Sequence, residues 1–271
     1  MSKGIKHSHW LKIVKRLTIA LGCVAALSAI CLGGLYCYRT SPLDYQPYTG
    51  AESCAVPTCG DSISIAVIGD SWAFRANLFH FCDTLGSLLE REGIHAQSTS
   101  VGYNGYTSKS ICELLYDKDT DIHQLVETHP QYALVMCGIN DQHGAYGPSF
   151  YALHTTMILR RLEQMGIRPI LLELPVWDVE RQYRFYSWYT TSAYKMMHLF
   201  NARMPAQSNL GVYRRALSDY LRESAMRDKI ILLSAPGTLT TPDNMADYTH
   251  LNAEGYRKLA QMVCDAIAKD R

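Results

Sequence analysis

The chain has 271 residues, with 26 lysines and arginines against 25 aspartates and glutamates, and 48 % hydrophobic residues. That length accommodates one sizeable domain plus an appendage. The near balance of charge excludes a polyanion-binding surface, and nucleic acid is not an expected partner.

Residues 1–16 are basic: Lys3, Lys6, Lys12, Lys15 and Arg16 precede any acidic side chain. Leu17 to Tyr38 then runs 22 residues without a charge, and roughly 20 helical residues span a bilayer's hydrocarbon core. A cleaved signal peptide is the alternative, but its apolar core is about 7–15 residues long and ends in an Ala-x-Ala-like site. Here the run closes on Leu35-Tyr36-Cys37-Tyr38-Arg39. Residues 17–38 are therefore expected to be a transmembrane anchor or uncleaved signal. The basic flank places the N-terminus in the cytoplasm and the main domain outside, on the periplasmic or extracellular side.

Residues 39–61 are rich in Pro, Gly, Ser and Tyr without periodicity and read as a linker. Export would permit disulfides. Cys54 and Cys59 flank a Pro-containing loop as the first candidate pair, whereas Cys137 and Cys264 fall in apolar patterns as small buried hydrophobes. No CxxC or His-rich cluster suggests a metal site, and no cofactor is expected.

The domain proper, 62–271, opens with the β-branched run Ile63-Ser64-Ile65-Ala66-Val67-Ile68-Gly69, which predicts a buried strand ending at Asp70-Ser71. Leu78, Phe81, Cys82, Leu85, Leu88 and Leu89 recur at helical spacing up to Gly93. A second strand is expected over 95–101, leading into Gly102-Tyr103-Asn104-Gly105-Tyr106, then one or two helices over 108–128. Tyr132 to Cys137 predicts a third strand ending at Gly138-Ile139-Asn140-Asp141, and 149–165 a helix stopped by Gly166. Pro169 to Leu174 predicts the fourth strand, Tyr213 to Leu221 a helix, 229–233 the fifth strand, and Tyr256 to Ile267 an amphipathic terminal helix.

Residues 177–210 break this rhythm with Trp177, Tyr183, Phe185, Tyr186, Trp188, Tyr189, Tyr194 and Phe200, too long for an ordinary connection. This insertion reads either as a helical pair packing its own aromatics or as a substrate wall in which Trp177 and Trp188 face a ligand. Five strand–helix alternations imply one parallel sheet covered on both faces.

Ligands bind outside the carboxyl ends of such strands, and Ser71, Gly105 and Asn140 all follow strand ends. Alone, Asp-Ser after a strand is as well explained by a helix cap, and a lone His250 by a surface or capping role. Together they suggest more. An Asp three residues before His250 can accept its Nδ1–H and leave Nε2 free to take a serine's proton, in the chain order Ser71, Asp247, His250.

Gly69-Asp70-Ser71, Asn104-Gly105-Tyr106-Thr107, Gly138-Ile139-Asn140-Asp141 and Asp247-Tyr248-Thr249-His250 with Gly255 form four ordered blocks. In these the chain resembles the SGNH, or GDSL-type, hydrolase family over about 63–268. The resemblance implies an α/β, flavodoxin-like three-layer sandwich with a five-stranded parallel sheet, and an ester-cleaving serine enzyme. It further implies Ser71 as nucleophile, His250 as general base and Asp247 as its orienter. The oxyanion hole would comprise the N–H groups of Ser71 and Gly105 with the Asn140 amide. Asp70 and Asp141 would hold loops.

Two departures stand out. Trp72 occupies the leucine position of the family name, where its bulk could limit the acyl group, and Ser100 replaces an upstream Asn of the second block. The expected activity is a deacetylase or esterase on an envelope or extracellular glycan. The alternatives are an acyltransferase using the same acyl-enzyme, an esterase of lipids or small esters, or a glycan-binding domain that kept the fold.

Overall fold

The structure, a computed structural model, describes residues 3–40, 62–144, 146–176, 187–189, 191–192, 210–234, 237–247 and 249–271. The expected Cys54–Cys59 pair, Trp177, and most of the linker and insertion lie outside the described residues. The chain divides into two units at Ser41 and Pro42.

The first unit is one helix, α1 (Lys3–Thr40), which runs two residues beyond the expected end of the anchor. Its Lys12–Gly34 stretch is long and apolar enough to cross a membrane. At 1.5 Å per residue its 23 residues exceed the roughly 30 Å hydrocarbon thickness.

The second unit is a parallel sheet of β1 (Ser62–Gly69), β2 (His95–Gly102), β3 (Tyr132–Met136), β4 (Arg168–Leu172) and β5 (Ile231–Leu233), in the order β2-β1-β3-β4-β5. This is the flavodoxin-like order. Ile65, Val67 and Ile68 of β1 and all five residues of β3 are buried, as central parallel strands must be when helices cover both faces. Burying each large aliphatic contributes about 1.5–3 kcal/mol. On the edge strand β2, exposed and partly buried positions alternate over His95 to Thr99 instead, and only Ser100 is buried, in keeping with its polar sequence.

The helices are α2 (Ser71–Leu78), α3 (Phe81–Arg91), α4 (Ser108–Tyr116), α5 (Asp121–Val126), α6 (Ile139–His143), α7 (Pro148–Gln164), α8 (Gly211–Glu223) and α9 (Ala253–Asp270). The sequence pattern anticipates a single helix starting near Leu78. The chain instead bends at His80, which adopts a left-handed φ of 52°, and α2 and α3 are separate. Side chains start several helices: Asp70 accepts from the Trp72 N–H, Thr107 from Ser110, and Asn252 from Gly255.

Register puts the loops that matter on one edge. Gly69 pairs with Gly102 of β2 and with Met136 of β3, so the segments beginning at residues 70, 103 and 137 emerge side by side. The approach is tight. The Asp70 N–H donates to the Met136 carbonyl at 2.9 Å, and a Cβ on Gly69 would sit 1.9 Å from that oxygen. Only glycine allows β1 and β3 to converge so closely at this point.

Candidate active site

Ser71 opens α2 where β1 ends. As the first residue of that helix, its N–H has no acceptor within the helix. Its Oγ lies 3.0 Å from His250 Nε2, and His250 Nδ1 lies 2.9 Å from Asp247 Oδ2. With Nδ1–H donating to the carboxylate, Nε2 is the acceptor for the serine hydroxyl.

Asp247 is itself well held. Its Oδ1 accepts from the backbone N–H groups of Thr249 and His250, each at 2.7 Å, and Arg75 Nη1 stands 3.6 Å from Oδ2. Partial burial pushes this carboxyl up, but the hydrogen bonds from His250 and the two backbone amides outweigh it and leave the group below the usual range. The Asp247 carboxylate therefore stays ionised at neutral pH.

Across a groove of about 420 Å³, Ser71 and His250 face Asn104, Gly105 and Asn140. Gly105 takes a left-handed φ of 79° in the tight loop after β2. Asn140 Nδ2 donates to the Tyr106 carbonyl at 2.9 Å, which fixes the amide and ties the loop after β3 to the loop after β2. An amide NH₂ carries two hydrogens, and that bond uses one of them.

Behind the groove are two buried carboxyls. Asp141 accepts from both the N–H and the hydroxyl of Ser108, pinning the start of α4. Asp70 caps α2, and its Oδ2 is buried without a partner among the described residues. Burial, with the neighbouring Asp141 charge, pushes Asp70 up to about 7 against the hydrogen bond from Trp72.

Burial pushes Asp141 up to about 7 as well, and because both folded carboxyls hold their protons more tightly than unfolded ones, that stabilisation is complete below pH 3.8 and is lost as pH rises through 7. His143 and His154, lowered to about 4 chiefly by burial, act oppositely, and their contribution is complete above 6.5. From pH 6.5 to about 8 the carboxyl effect stands alone. Tm should therefore fall across that window, and Asp70→Asn should make the fall shallower, with Asp141 carrying the remainder. A Tm that rises from 6.5 to 8 would contradict this assignment.

The structure corrects the reading of Trp72. It is only 2 % exposed and is not among the described residues lining the groove, its Nε1–H donating to the Thr249 carbonyl at 3.0 Å. The Tyr256 hydroxyl in turn donates to the Trp72 carbonyl at 2.8 Å. The large ring serves as a core clasp between α2, the His250 loop and α9. Trp72→Leu should cost about 2–4 kcal/mol in chemical denaturation, through the cavity and the orphaned Thr249 carbonyl, and leave acyl-chain preference unchanged.

Trp188 is 80 % exposed and meets Tyr189 edge-on. It is not among the described residues lining the groove. Cys112, Cys137 and Cys264 are buried free thiols, and Ser100, the departure in the second block, donates to the Ala73 carbonyl at 2.7 Å.

Three groove residues escape a reading of motifs alone: Phe74, Arg75 and Leu78. With Ser71 they follow i, i+3, i+4, i+7 spacing, which places them on one face of a helix. That spacing was the available signal. His143, on α6, also lines the groove, and its lowered pKa keeps it neutral.

The four segments that converge here are carried by a known family. A model of the GDSL-like lipase/acylhydrolase family matches residues 59–258. The chain belongs to that family. It is accordingly a carboxylic ester hydrolase.

Solved structures share the fold of this GDSL-like enzyme at low identity. TesA is 17 % identical with a TM-score of 0.52, covering 75 % of this chain and 97 % of that one. The psychrotrophic esterase EstA from Pseudoalteromonas sp., inhibited by monoethylphosphonate, is 14 % identical with a TM-score of 0.51, covering 76 % and 97 %. The α/β hydrolase LAE5 from the Lake Arreo metagenome is 16 % identical with a TM-score of 0.50, covering 75 % and 94 %. No curated protein matches the GDSL-like chain by sequence.

Proposed function

We propose that the enzyme cleaves esters through a covalent acyl-enzyme on Ser71, with His250 as general base and then general acid, and Asp247 as its orienter. The observation that carries this reading is the unbroken hydrogen-bond line from Ser71 Oγ through both imidazole nitrogens to Asp247, at 3.0 and 2.9 Å.

Ser71 Oγ attacks the ester carbonyl as its proton passes to His250 Nε2, and the imidazolium is stabilised by the Asp247 carboxylate. Negative charge on the carbonyl oxygen faces the N–H groups of Ser71 and Gly105 and the second hydrogen of the Asn140 amide. Collapse expels the alcohol, which takes the proton from Nε2. Water, deprotonated by the same nitrogen, then releases the acid and restores Ser71.

Asn140→Ala removes one oxyanion donor. It should lower kcat on p-nitrophenyl acetate by about 10²–10³-fold with little change in KM. An equal loss spread into KM would point to a binding role instead.

The substrate in this reading is an acetyl or other small acyl ester of an envelope or extracellular glycan. Supporting it are the open groove and the exposed aromatic pair Trp188 and Tyr189. The apolar helix α1, with its basic N-terminal flank, supports an anchor that holds the domain outside the cytoplasm. The purified chain in detergent should release acetate from acetylated glycans and react at Ser71 with a fluorophosphonate probe. Labelling at another residue, or none, would remove the acyl-enzyme.

A further inference from the structure

The face of α2 that carries Ser71 continues into the groove as Phe74, Arg75 and Leu78, with Phe74 and Leu78 respectively 40 % and 60 % exposed. Arg75 is the one permanently charged side chain among the described groove residues, and no carboxylate lines the groove with it. It faces Asp247 Oδ2 at 3.6 Å, a Coulombic neighbour rather than a hydrogen bond, since charge-assisted bonds close to about 2.7–2.9 Å. A guanidinium has five N–H donors in a planar fork. Among the described residues none of Arg75's donors has a hydrogen-bonding acceptor, and its side chain remains 30 % exposed.

The direction of the chemistry says which part of a substrate would meet it. His250 must pass its proton from Nε2 to the departing alcohol, so the alcohol lies at the Nε2 end of the imidazole, inside the groove that Arg75 also lines. Along α2, the backbones of Ser71 and Arg75 are four residues apart, a rise of about 6 Å, roughly the width of one pyranose ring.

We infer that the groove selects esters whose alcohol carries an anionic group, a carboxylate or phosphate one sugar-ring width from the esterified hydroxyl, held by the Arg75 guanidinium. An O-acylated uronate-type sugar has this chemistry, with Phe74 and Leu78 offering apolar faces to the ring. The inference rests on the ester-cleaving reading for the position of the alcohol, but its test reads binding. Asp247 stands beside the guanidinium at 3.6 Å, while the ligand would supply the close acceptor that Arg75 lacks among the described residues. A planar fork matches both carboxylate and phosphate, which an ammonium cannot do bidentately.

The test uses the full-length Ser71→Ala chain in detergent, titrated with methyl galactoside, methyl galacturonoside and methyl galactoside 6-phosphate, which differ only at C6. The galacturonoside, the 6-phosphate or both should bind about tenfold or more tightly than the neutral sugar, and the two anionic arms tell carboxylate from phosphate recognition. Adding Arg75→Gln should erase the difference, and Arg75→Lys should keep part of it. Equal binding of all three sugars, no measurable binding of either anion, or a preference that survives Arg75→Gln would overturn the inference. Failure of the unmutated enzyme to cleave p-nitrophenyl acetate, with anion binding intact, would strike the acyl-enzyme reading and not this one.

Discussion

Ser71→Ala is expected to lower kcat on p-nitrophenyl acetate by on the order of a million-fold, the loss seen when a serine hydrolase is stripped of its nucleophile. Among the described residues Ser71 Oγ has one hydrogen-bond partner, His250 Nε2, and the side chain is nearly buried. Removing one oxygen therefore empties little space and leaves Asp70 still capping α2 through the Trp72 N–H. Circular dichroism and Tm should be close to those of the parent, which separates a chemical loss from a folding loss. The same variant should no longer react with a fluorophosphonate. Turnover within about tenfold of the parent would show that another group, or water, attacks the ester.

Asp247→Asn is the second large effect, at about 10⁴-fold in kcat with modest change in KM. The reasoning is about which proton sits where. Asp247 Oδ1 accepts from the N–H groups of Thr249 and His250, so an asparagine would keep its oxygen there and turn its NH₂ toward His250 Nδ1. Nδ1 would become an acceptor, and the proton would move to Nε2, which could then no longer take one from Ser71. Asp247→Ala should lose comparable activity but also loosen the turn, because two backbone donors lose their acceptor. Were Asp247→Asn to retain more than a tenth of the parent kcat, Asp247 would be a loop-holding residue and not the orienter.

The sheet was legible because its central strands are buried. Ile65 to Ile68 and Tyr132 to Met136 must be apolar on both faces, and such runs stand out in a sequence of mixed polarity. The convergence of Ser71, Gly105, Asn140 and His250 followed from their positions after strands or before a capped helix, which an α/β topology brings to one edge. Helix α2 was hidden because only Ser71, Trp72, Ala73 and Ala76 of it are buried, leaving a weak apolar stripe before the left-handed turn at His80.

Trp72 was misread for a related reason. A residue next to Ser71 on a helix projects about 100° away from it, and Trp72 is buried in the core. Arg75 was missed because its neighbour Asp247 belongs to a distant segment, and no local pattern announces an ion pair of that kind.

The clasp around Trp72 also fixes when the enzyme can become active. Ser71 and His250 are 179 residues apart in the chain, and at 5–20 residues per second the ribosome needs roughly 10–35 s to make the intervening polypeptide. Until Thr249 and Tyr256 have emerged, the Trp72 indole lacks its acceptor and the Trp72 carbonyl its donor. A nascent chain halted before Tyr256 should hold most of the sheet yet show no serine reactivity, so that esterase activity is withheld until Tyr256 has emerged.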